Sequence, residues 1–77
     1  MKVRFKSYID RFEFSKLLDA NVHIAEFLGT NWWNASQCNS GTIDIVDEKG
    51  EKIHHDGWDV VIHPSEVKYF EIDKSEN

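Results

Sequence analysis

The chain has 77 residues, a formal net charge of −5 and a single cysteine, and 40% of it is hydrophobic, 13% aromatic and 30% charged. That length holds one domain with a thin core, and the aromatic content excludes a disordered chain. One cysteine excludes an internal disulfide and points to a reducing, cytoplasmic setting; no apolar run predicts a signal peptide or a membrane span, so no membrane partner is expected.

Charge is spread unevenly. Residues 1–16 carry five basic side chains against two acidic ones, a balance of +3, and the rest carries four against twelve, a balance of −8. Tracking a phosphate backbone needs a dense basic surface, so direct nucleic-acid binding is not expected.

The first predicted element is a half-buried strand over residues 3–9. Val3, Phe5, Ser7 and Ile9 alternate on its inner face, and Lys2, Arg4, Lys6 and Tyr8 form the outer one. Phe12 and Phe14 flank Glu13, which extends the alternation toward residue 15 across a bend near Asp10 and Arg11. The period then changes. Asn21 is placed to cap one short helix over residues 21–28 by accepting the N–H of His23 or Ile24, with a start as early as residue 15 as the alternative. Val22, Ala25, Phe27 and Leu28 recur at helical spacing, and Gly29 supplies the stop.

Residues 30–40, TNWWNASQCNS, show no period. Adjacent side chains on an extended chain point to opposite faces, so one of Trp32 and Trp33 is predicted to face solvent, a partner or a ligand. A meander follows. Ile43 and Ile45 point inward, residues 47–50 turn, a return strand spans 51–55, and Asp56-Gly57 turns again. The next strand, 58–63, puts Trp58, Val60 and Ile62 on one face and Asp59, Val61 and His63 on the other. Pro64 ends it, and a last strand covers 67–72. The expected fold is α+β: one short helix packed on a twisted antiparallel sheet, largely a meander, of about five strands. It forms a single domain over residues 1–72, with a polar tail over 73–77.

The opening MKVRFKSYIDRFEF, the helix end IAEFLG and the strand Gly57-Trp58-Asp59-Val60-Val61 together resemble a family of small tailed-phage proteins with a Pro-Gly-Asp-Trp-Ile-Ile strand. In this chain the acidic residue and the glycine of that strand stand exchanged, as His55-Asp56-Gly57-Trp58. The resemblance spans residues 1–72. It implies a phage protein working in the host cytoplasm, of a type that blocks host machinery or immune signalling. Some small phage folds act as oligomeric traps for nucleotide signals.

His54, His55, Asp56, His63 and Cys38 are metal-ligand residue types, but no Cys-x-x-Cys or His-x-x-x-His spacing joins them. A metal site would pair alternate positions on one face, or use His55 and His63 across a hairpin; no metal and no cofactor are expected. Acid–base chemistry by Glu51, Asp56 or Asp59 with a histidine needs a pocket that excludes water, so no enzyme is expected. No neighbour of Cys38 in sequence lowers its pKa, and a small buried or half-buried thiol is expected there. The sharper candidates are Trp32 and Trp33 for stacking, Asn34 and Gln37 for hydrogen bonds, and Arg4 and Lys6 for a phosphate.

The function expected from these residues and the resemblance is a non-enzymatic homo-oligomer that captures a small nucleotide-type host defence signal at a subunit interface. The alternative is an acidic, nucleic-acid-mimicking inhibitor of a host defence protein, nuclease or polymerase, acting through Asp44, Asp47, Glu48, Glu51, Asp56 and Asp59. A third is an accessory structural protein of the phage.

Overall fold

The computed structural model describes residues 1–75. Within them the chain forms β1 (Lys2–Phe5), α1 (Tyr8–Ser15), α2 (Asp19–Leu28), β2 (Trp33–Gln37), β3 (Ile43–Ile45), β4 (His54–His55), β5 (Trp58–Asp59), β6 (Val61–Ile62), a 3₁₀ helix (Pro64–Tyr69) and β7 (Phe70–Asp73). The fold is α+β, as expected, with a five-stranded antiparallel sheet in the order β6-β3-β2-β1-β7 and a separate β4–β5 hairpin. No helix of the described residues is long and apolar enough to cross a membrane.

The first correction is at the N-terminus. β1 stops at Phe5, and residues 8–15 are a helix rather than a continued strand. Ser7 leaves the strand with extended dihedrals, accepts the Asp10 N–H at 3.1 Å and donates its own hydroxyl to Asp10 Oδ2 at 2.6 Å. That reciprocal cap satisfies an orphan donor of the first turn and starts α1. Positions two apart on a helix diverge by about 200°. Phe14 is therefore buried and Phe12 exposed, and Ile9, expected inward, is 74% exposed.

The helix read at residues 21–28 begins two residues earlier and is capped by Leu18 without a side-chain bond. Asn21 is not the cap. It lies inside the first turns of α2, buried, and its Nδ2 donates to the Phe14 carbonyl at 3.0 Å and to Glu66 Oε2 at 2.7 Å. Gly29 ends the helix at φ +57, a backbone that L side chains rarely adopt, and its N–H reaches the Ala25 carbonyl.

Only part of the second half is a meander. β2, β3 and β6 lie side by side in chain order, but the β4–β5 hairpin stands out of the sheet between β3 and β6. Asp47 Oδ1 accepts from Lys49 N and Glu51 N to close the first turn. Asp56 and Gly57, at φ 52 and 81, have the paired positive φ of a type I′ turn between His55 and Trp58. The strand expected over 58–63 breaks at Val60, whose N–H goes to Ile53 while its carbonyl takes the Ile45 N–H. Val60 and Ile62 are buried as expected, but Trp58, beyond the break, is 42% exposed.

The strand expected from residue 67 starts at Phe70, because Pro64 opens a 3₁₀ helix whose His63 N–H is held by Glu66 Oε1 at 2.9 Å. That helix carries the chain to the opposite edge of the sheet, where β7 pairs with β1 from Lys2↔Asp73 to Phe5↔Phe70. The tail read at 73–77 thus gives Asp73 to the sheet; positions 76 and 77 lie outside the described residues. The core lies between the helices and the sheet: Phe5 stacks on Phe70 at 4.3 Å between centroids, and Phe14 meets both edge-on at 5.2 and 5.4 Å.

Candidate functional site

The register of β1 on β2 sets Lys2 opposite Asn34 and Val3 opposite Trp33, and β3 pairs on the other side of β2. The chain leaving β3 turns through residues 47–50 and comes back by the Val46↔Lys52 bridge. This folds the acidic turn over the tryptophans. The result is a cavity of about 610 Å³ lined by Lys2, Trp32, Trp33, Asn34, Val46, Asp47, Glu48, Lys49, Glu51 and Ile53.

The two tryptophans divide as their adjacency requires. Trp33 is half-buried, its Nε1 donates to the Leu28 carbonyl at 2.8 Å and its ring lies 4.8 Å from that of Phe27. Trp32 is the exposed one, and the Arg4 guanidinium sits 4.5 Å over its ring while bonding to Glu71 Oε1 at 3.4 Å. Trp32, Trp33 and Asn34 therefore come together. Arg4 and Lys6 line a different, smaller groove with Ser7, Tyr8 and Thr30. Gln37 is at the far end of β2, opposite Ile43, with its Nε2 on the Gly41 carbonyl. The cleft holds two lysines against three carboxylates, so it is not a basic phosphate cradle.

The six acidic residues of the alternative reading separate as well. Asp47, Glu48 and Glu51 share the cleft with the tryptophans. Asp44 is buried, not part of an acidic surface, and its Oδ2 lies 3.3 Å from Cys38 Sγ and 3.8 Å from Lys52 Nζ. Asp56 and Asp59 are on the β4–β5 hairpin beside histidines: His54 Nδ1 is 2.6 Å from Asp59 Oδ1, and His23 and His55 both approach Asp56. Among the described residues, Glu26, His55 and Asp56 form a group that could hold a metal ion. The residue that sequence reasoning missed is Glu26, on α2. His63, the expected partner of His55, is instead the residue that precedes the 3₁₀ helix.

Cys38 is exposed, not buried. Its thiol donates to Asp44, which favours the protonated form, and partial desolvation and the carboxylate charge push its pKa further up against the opposing pull of Lys52. A raised thiol pKa means less thiolate at a given pH. Iodoacetamide should therefore alkylate Cys38 more slowly at pH 8 than a free cysteine, and Asp44→Asn should accelerate the reaction. Equal rates in the two forms of the protein would contradict this account.

The two α-helices and their connection also expose apolar side chains. Tyr8, Ile9 and Phe12 of α1, Leu17 and Leu18 of the connection, and Val22 of α2 are all exposed, with Tyr8 at 75%. Exposed apolar side chains on neighbouring elements are an unusual load for the surface of a monomer. No family model, curated protein or solved structure matches this chain.

Proposed function

We propose that the chain is a non-enzymatic binding protein that takes a basic side chain of a partner protein into the cleft between Trp32 and Asp47. The observation that supports this reading most is that two tryptophans and the carboxylates of Asp47, Glu48 and Glu51 line one cavity. A guanidinium or ammonium group gains from both kinds of wall, and an aromatic face alone contributes about 0.5–1 kcal/mol when exposed and about 2 kcal/mol when desolvated. Arg4 already rests on Trp32 in this way. In the setting implied by the resemblance to small tailed-phage proteins, the partner is a host defence protein, nuclease or polymerase with a basic surface. Self-association through the Tyr8–Phe12 face would give one assembly several clefts.

A second reading, capture of a small nucleotide, draws on Trp32, Asn34 and Lys2 and on a cavity of small-molecule size. Isothermal titration with an arginine-rich peptide and with a panel of mono- and cyclic dinucleotides separates the two, with light scattering on the same sample to read the assembly. The expected result is peptide binding that weakens roughly ten-fold in Trp32→Ala and in the Glu48→Lys/Glu51→Lys variant. Nucleotide binding that survives the charge reversal and disappears in Trp32→Ala would replace this reading with the second. Heat from neither titrant would remove both.

A further inference from the structure

Away from the cleft, the outer face of α2 meets the tip of the β4–β5 hairpin, and ligand-type side chains converge there. Glu26, His55 and Asp56 each offer one donor atom, and the three donors lie within 4.8 Å of one another. His55 Nε2 is 3.3 Å from Asp56 Oδ2, and His23 Nδ1 is 3.5 Å from the same oxygen. Charge-assisted hydrogen bonds are shorter, about 2.7–2.9 Å. Two donors bound at about 2.0–2.1 Å to one tetrahedral ion stand roughly 3.3 Å apart, which is the spacing between His55 and Asp56.

The supports for these side chains come from both elements. His23 and Glu26 are three residues apart on α2 and so share a face. Asp56 occupies the first positive-φ position of the hairpin turn, which brings it beside the strand residue His55. The His55 ring lies against Phe27 at 4.8 Å, and His23 stacks near Trp58 at 6.1 Å. The hairpin itself has two residues per strand, too few to be stable alone. An ion shared with α2 would fix it to the body of the domain.

We propose that Glu26, His55 and Asp56 bind a divalent transition-metal ion of the zinc class, with His23 as a positioning residue that orients the Asp56 carboxylate. One imidazole and two carboxylates suit such an ion, and three protein ligands leave a coordination position open to water or to a partner's side chain.

The test uses the full chain stripped with chelator and titrated with zinc chloride by calorimetry and with cobalt chloride by visible absorption. One zinc per chain is expected, with Kd tighter than about 10 μM at pH 7.5, a cobalt spectrum of low coordination number, and a Tm raised by roughly 10–20 °C at hundred-fold excess over Kd. His55→Ala and the Glu26→Gln/Asp56→Asn variant should lose the ion. His23→Ala should retain the one-to-one ratio but bind about 10–100-fold more weakly, and His54→Ala should bind normally. Circular dichroism and metal-free Tm equal to those of the parent chain show that a silent variant is still folded. Absence of one-to-one binding, binding that persists without both carboxylates, or a preference for calcium or magnesium would overturn the proposal.

Discussion

Phe14→Ala is expected to cost about 3–5 kcal/mol, the usual loss for a buried phenylalanine, and to lower Tm by roughly 15–25 °C. A chain of this length carries roughly 4–12 kcal/mol of total stability, so the variant would lose a large share of it. Phe14 has no exposed surface and is the only buried residue of α1. It meets Phe5, Phe70 and Tyr69 edge-on, so one side chain joins α1 to β1, to β7 and to the 3₁₀ helix. An eight-residue helix does not hold itself together in water and depends on this contact. Phe12→Ala is the discriminating control. In a strand the two phenylalanines would share a face and both would be costly; in the helix only Phe14 points inward. Urea titration should give Phe12→Ala a loss under about 0.5 kcal/mol in dilute solution. Any larger loss at Phe12 should grow with protein concentration, as an association face requires, whereas the loss at Phe14 should not. Matching, concentration-independent losses at both positions would refute the helix.

The same pair shows why some of the fold was legible in the residues and some was not. Ile43 and Ile45 flank Asp44 on a strand paired on both sides, and there period-2 reading finds the two inward isoleucines, although Asp44 between them is buried as well. Asp47–Gly50, Asp56-Gly57 and Gly29 carry their own backbone chemistry, so their turns are written locally. α1 has no such stripe: with one inward side chain in eight, its phenylalanine spacing imitates a strand. Ser7 three residues before Asp10, and Pro64 two before Glu66, were the local signs of the two missed helices. The candidate sites were harder still. Trp32 and Trp33 stood out as a pair, but their meeting with Asp47, Glu48 and Glu51 follows from the β1–β2–β3 register, and Glu26 reaches His55 only through the packing of α2 on the hairpin. Neither arrangement is a sequence spacing.

Asn21→Leu is expected to destabilise the fold by about 3 kcal/mol, although it replaces a polar side chain with an apolar one of similar size at a buried position. The reason lies across the core. Asn21 and Glu66 are 1% and 2% exposed, and Asn21 Nδ2 donates to Glu66 Oε2 at 2.7 Å and to the Phe14 carbonyl at 3.0 Å. Leucine would leave the buried Glu66 Oε2 without its donor and would take one of two donors from the Phe14 carbonyl, which keeps the Leu17 N–H at 3.2 Å. Removing the second partner should undo part of the damage: Asn21→Leu/Glu66→Leu should be at least about 1 kcal/mol more stable than the two single losses added together. Full recovery is not expected, because the His63 N–H then loses its acceptor on Glu66 Oε1. Simple additivity in denaturant titration would show that the two side chains do not act as a pair. The bond also has a topological role. It ties α2 and the end of α1 to the 3₁₀ helix, the segment that carries the chain past the β6 edge and delivers β7 to β1. This buried polar pair adds a directional contact to the apolar packing that holds the path to the last strand. Hydrogen exchange should report this as faster opening of β7 in Asn21→Leu than the global loss of stability accounts for.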